Sequence, residues 1–87
     1  MPIVSSFYGI KIYIYWFEER HHTPHFHAYY SEFQATFALD GEFIKGRMPK
    51  TAKKLIKRWA LENHTEICYA WEEAIKDLPI RTIRGLL

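Results

Sequence analysis

Apolar and polar positions alternate along the first half of the chain and recur at helical spacing along the second. Ile10, Ile12, Ile14 and Trp16 interleave with Lys11, Tyr13, Tyr15 and Phe17, the pattern of a strand with one face in a core. Gly9 marks a bend or bulge ahead of it. Phe26, Ala28 and Tyr30 supply the core face of a second strand, Ser31 and Glu32 a short connection, and Ala35, Phe37 and Leu39 a third core face. Asp40-Gly41 predicts a two-residue hairpin that pairs Leu39 with Glu42 and sets Phe37 opposite Ile44. These strands, within residues 3–46, make an antiparallel meander of four.

At Pro49 the period changes. Proline suits the first helical position, and Ala52, Leu55, Ile56, Trp59 and Ala60 form one apolar stripe over about 49–62. Asn63 followed by Glu66 has the form of a capping box, opening a second helix over about 64–78 with Ile67, Ala70, Trp71, Ala74, Ile75 and Leu78 as its stripe. Pro79 ends it, and about 80–84 are read as a short C-terminal strand. The expectation is a single α+β domain over 1–87, a β-meander of about four strands with a two-helix hairpin packed on one face.

Composition adds limits. Aromatic residues make up 17% of the 87, enough ring area for one core without a metal or disulfide to hold it. Cys68 has no partner for an internal bridge, and no charged-then-apolar leader precedes the first strand, so a cytoplasmic protein is expected. The mainly apolar stretch Ile10 to Phe17 is broken by Lys11 and is far shorter than the roughly 20 residues a membrane helix needs. No membrane role follows. The net charge of +2 hides an asymmetry: Lys45, Arg47, Lys50, Lys53, Lys54, Lys57 and Arg58 are seven of the twelve basic residues, and Glu62, Glu66, Glu72, Glu73 and Asp77 come after them. That basic helix docks a polyanion or keeps the surface solvated.

The chemistry-bearing residues concentrate in His21-His22-Thr23-Pro24-His25-Phe26-His27-Ala28-Tyr29-Tyr30. In an extended chain His25 and His27 share a face, opposite Phe26 and Ala28. Four readings follow. With His21, or with His22, Glu18 or Glu19 as further ligands, His25 and His27 could hold zinc or a similar ion. His25 or His27 as base and His22 as acid could cleave RNA without a metal, with the basic helix holding the backbone. Tyr13, Tyr15, Phe17, His25, His27, Tyr29 and Phe43 on an uncovered face would form a contact surface for a homodimer or a protein partner, the most economical reading because an interface needs only area. The same tyrosines could stack on single-stranded RNA if Lys50, Lys53, Lys54 and Lys57 bordered them. Against all four stands a structural role, with the two rings partly buried and hydrogen-bonded to nearby carbonyls. For Trp59, Trp71 and Cys68, core packing is the simplest account.

The opening Met1-Pro2-Ile3-Val4-Ser5-Ser6-Phe7-Tyr8-Gly9-Ile10, the Pro24-His25-Phe26-His27-Ala28 box, Gly46-Arg47-Met48-Pro49, Trp59-Ala60 and Trp71-Glu72 occur in an order that resembles the bacterial family called domain of unknown function 4160. The resemblance runs nearly end to end. It departs at His22-Thr23-Pro24, where that family tends to carry Asn-Pro-Pro, and at the Arg84-Gly85-Leu86-Leu87 ending. Family genes often lie beside those of another small family, so the resemblance implies one component of a two-gene, toxin–antitoxin-like module with a protein partner encoded nearby. No catalytic or cofactor assignment comes with it.

Overall fold

The computed structural model describes residues 3–16 and 23–86. Among these the chain forms an antiparallel sheet of five strands and two helices, an α+β fold. The strands are β1 (Ile3–Phe7), β2 (Ile10–Tyr13), β3 (His25–Tyr30), β4 (Phe33–Ala38) and β5 (Phe43–Arg47), in spatial order identical to chain order. The helices are α1 (Lys50–Glu62) and α2 (His64–Ile75). Neither is long and apolar enough to cross a membrane.

The meander has one strand more than the alternation predicts, because residues 3–7 form a hairpin with β2 instead of a lead-in. Tyr8 and Gly9 both take positive φ, 50° and 80°, and close a two-residue turn that pairs Phe7 with Ile10. A register shift between Ile3 and Ser5 turns Ser5 inward beside Val4, so both are buried.

The β4–β5 connection also differs from expectation. Only Gly41 has positive φ in that turn; Gly41 N–H donates to Ala38 O at 2.9 Å and Ala38 N–H to Glu42 O at 2.8 Å, making a three-residue loop of Leu39, Asp40 and Gly41. Leu39 thus enters the core, and Phe37 pairs with Phe43, with Ile44 left in a bulge before Lys45 pairs with Thr36.

The helices fill the groove above one face. Ala52, Ile56, Trp59 and Ala60 of α1 and Ile67, Ala70, Trp71 and Ala74 of α2 join Phe7, Ile10, Ile12, Ile14, Phe26 and Phe37 in one buried cluster. Trp59 is its centre: it stacks on Phe7 at 5.5 Å, meets Phe26 edge-on at 5.4 Å, and donates its indole N–H to Arg84 O at 2.8 Å. Full burial of such a ring contributes a few kcal/mol, roughly 25 cal/mol for each Å² removed from water.

Both helix caps depart from the expected chemistry. Pro49 stands just outside α1 as its N-cap, with its carbonyl accepting from Lys53 N–H at 2.9 Å. Asn63 does not cap α2 with its side chain; its Nδ2 donates back to Trp59 O at 3.0 Å and closes the end of α1. Glu66 instead faces Arg81. The second helix stops at Ile75, short of Leu78, because Asp77 turns left-handed at φ 57° and the Asp77 and Leu78 N–H groups fold back to Ala74 O and Glu73 O.

Residues 78–86 take no regular secondary structure, so the expected strand over about 80–84 does not form. Ile83 N–H donates to Val4 O at 2.6 Å, and the segment is otherwise anchored by side chains. Arg81 binds Glu73 at 2.8 Å and Glu66 at 3.1 Å, and its guanidinium lies 5.0 Å from the centre of the Tyr69 ring.

Candidate functional site

The face of the sheet opposite α1 is set by strand alternation and register. One cross-strand row is Tyr13, His27, Thr36 and Lys45; the next is Lys11, Tyr29, Gln34 and Arg47. Tyr15 follows Tyr13 by two residues and returns to the same side.

Their rings touch in a continuous array. Tyr15 lies 4.7 Å from His27, Tyr13 meets Tyr29 edge-on at 5.3 Å and stacks on Tyr15 at 6.0 Å, and the Tyr15 and Tyr29 hydroxyls are 3.0 Å apart. All four side chains are half-buried, each partly covered by the next. Beside them His27, Tyr29, Gln34, Thr36 and Lys45 line a shallow depression of about 260 Å³.

His25 is different from His27. It opens β3 at 7% exposure, with its ring 5.2 Å from Trp71 of α2 and 5.1 Å from His27. Its Nδ1 lies 2.7 Å from Thr23 O, so Nδ1 carries the proton and donates to that carbonyl. The hydrogen-bonded, buried arrangement considered from sequence describes this ring. It also ties the outer array to the end of the core through Trp71.

The expected aromatic surface is therefore smaller than the sequence implied. Phe43 leaves it, packing edge-on to Phe37 at 5.7 Å on the helix-covered face, and His25 belongs to it only at one end. Phe17 and the candidate residues Glu18, Glu19, His21 and His22 lie outside the described residues. His25 and His27 are close enough to act together, but among the described residues no third His, Cys, Asp or Glu joins them as a metal-binding group. Two imidazoles are half of a zinc site.

The basic helix and the tyrosines lie on opposite sides of the sheet. Lys53 places its ammonium 3.9 Å from the centre of the Phe43 ring on the α1 side. Lys57 pairs with Glu42, whose carboxylate holds the ammonium above the usual lysine range, while Lys50 and Lys54 face solvent on the same helix. Cations whose positions fall in the tyrosine-face rows are Lys11, Lys45 and Arg47, none of which sequence reasoning assigned to the site. Continuing the alternation of β2 and β5 across the hairpins would have found them. On α2, Cys68 Sγ sits 3.7 Å from His64 Nε2, one helical turn away, and remains a half-buried packing residue.

A small α+β domain with a helix-covered face and an opposite face of interlocked tyrosine and histidine is the class that fold and site define. Residues 9–72 match the family described as Domain of unknown function (DUF4160), and the chain belongs to it. Comparison with curated proteins and with solved structures finds no match.

Proposed function

We propose that this chain is one component of a two-gene, toxin–antitoxin-like module of the bacterial cytoplasm and acts by protein association, using the outer sheet face as its contact surface. The observation that carries the reading is the ring array of Tyr13, Tyr15, His27 and Tyr29, which lies outside the core and opposite α1. Tyrosines already fixed on strands lose little freedom on binding and present large area with a polar edge, which favours an interface.

RNA stacked on the same rings is the second reading, supported by Lys11, Lys45 and Arg47 in the two cross-strand rows. It is the weaker one. Lys50, Lys53, Lys54 and Lys57 belong to the helix across the sheet, so the largest block of positive charge does not border the rings.

Co-expression with the product of the neighbouring gene, followed by size-exclusion chromatography with light scattering, tests the proposal. A stoichiometric complex that survives ribonuclease and a chelator, and is lost in the Tyr13→Ser/Tyr29→Ser pair, is the expected result. Separate elution of the two proteins, or a complex that dissolves on ribonuclease treatment, would overturn it.

A further inference from the structure

We propose that the open edge strand β5, together with the overhanging basic side of α1, forms a second contact surface that takes an extended acidic segment of a protein partner as a sixth strand. The inference rests on the protein-association reading and extends it to a different part of the molecule.

The two edges of the sheet are treated differently. At the β1 edge the C-terminal segment lies alongside: Ile83 N–H reaches Val4 O, and Gly85 comes so close that an added Cβ would stand 2.7 Å from Ser6 O. At the other edge β5 pairs, among the described residues, only with β4, and all five of its residues are exposed. Backbone donors and acceptors on the outer side of such a strand are a template for another chain.

Above that edge α1 leans over the β4–β5 hairpin. An added Cβ on Gly41 would lie 2.9 Å from Lys57 Cα, which shows how tightly hairpin and helix meet. Beyond this contact an open groove of about 540 Å³ lies between the helix and the β4–β5 hairpin with the start of β5. Phe43 and Leu61 are its apolar walls, and Lys53, Lys54, Lys57 and Arg58 line it together with Glu42 and Glu62. Phe43 and Leu61 are 40% and 60% exposed, and Ile44 next to them 44%. A strand added about 4.8 Å from β5 would send the side chains beside Phe43 into this groove.

Charge selects the occupant. Lys57 and Arg58 are matched by Glu42 and Glu62, but no carboxylate among the described residues forms an ion pair with Lys45, Lys53 or Lys54. A second copy laid antiparallel on β5 about Lys45 would oppose Lys45 with like charge. On an added strand the side chains facing α1 would meet Phe43, Leu61, Lys53 and Lys54, and those facing the other way would meet Lys45. An incoming segment that carries carboxylates beside apolar residues on both of its faces therefore matches the walls and the surplus ammonium groups.

Fluorescence anisotropy on the full chain tests this with a labelled octapeptide of two Leu-Leu-Glu-Glu repeats, which places both residue types on each face of a strand. The same peptide with lysine for glutamate, and labelled octauridylate, serve as comparisons. The expected result is binding of the leucine–glutamate peptide alone, weakened roughly tenfold or more by Lys53→Glu/Lys54→Glu and by Lys45→Glu, with unchanged circular dichroism. Absence of binding, binding insensitive to these reversals, or tighter binding of octauridylate would overturn the proposal. Peptide binding that ignores the reversals, in a protein whose neighbour complex is still lost in Tyr13→Ser/Tyr29→Ser, would reject this edge and leave the outer-face reading standing.

Discussion

The two faces of the sheet are built from the same alternating strands, yet their aromatic rings are held by different things. On the covered face Phe7, Phe26 and Phe37 are sealed by Trp59 and the apolar stripes of two helices, and their burial is close to complete. On the other face Tyr13, Tyr15, His27 and Tyr29 are half-buried, their rings in contact with one another and the Tyr15 and Tyr29 hydroxyls paired. The first arrangement stabilises the fold whether or not anything binds. The second leaves aromatic area whose burial can still be completed by a partner, and that contrast supports assigning stability to one face and recognition to the other.

The contrast is broken most severely at Trp59. Trp59→Ala removes contacts to Phe7 and Phe26 and the hydrogen bond to Arg84 O, and is expected to cost about 3 to 5 kcal/mol in urea unfolding. His25 should fall between the two faces. His25→Ala strands the Thr23 carbonyl and uncovers Trp71, with an expected loss of about 1 to 3 kcal/mol, whereas His27→Ala should cost less because its ring is already half-exposed. Equal losses at the two histidines in the same unfolding measurement would erase the distinction drawn between them.

A smaller effect concerns the C-terminal segment that lies against β1. Arg81 holds the Glu73 carboxyl below its ordinary value, first through side-chain hydrogen bonds and then through the Arg81 backbone N–H. A carboxylate whose folded pKa is depressed adds stability above its unfolded value, near 4.5, and that stability drains away as pH falls through the lower folded value. Thermal unfolding should therefore lose midpoint below about pH 4.5 in the native chain, and Glu73→Gln should flatten that part of the profile.

Much of this was legible in the sequence, and the failures have identifiable causes. Each helix follows from one apolar stripe, and the outer position of Tyr13, Tyr15 and Tyr29 follows from alternation with Ile10, Ile12, Ile14, Phe26 and Ala28. The first strand was hidden because its bulge buries Val4 and Ser5 in succession, which breaks the period of two. Asp40-Gly41 carries the sign of a two-residue turn, but the chain gains more by burying Leu39 and putting only Gly41 at positive φ. Asn63 has two helix ends within reach and serves the earlier one. The separation of His25 from His27 has no local signal at all, since it depends on Trp71 arriving from a distant helix. Alternation with Ile10 and Ile12 puts Lys11 on the tyrosine face and the pairing with Thr36 puts Lys45 there, while the α1 lysines stay across the sheet.

The most direct test is one variant measured in two ways. Tyr13→Ser/Tyr29→Ser should lower folding stability by only about 1 kcal/mol, because it removes exposed-face ring contacts and leaves the core intact. The same protein should fail to bind the neighbouring gene product under conditions where the native chain forms a stoichiometric complex. Unimpaired binding, or a stability loss as large as that of Trp59→Ala, would contradict the division of labour between the two faces.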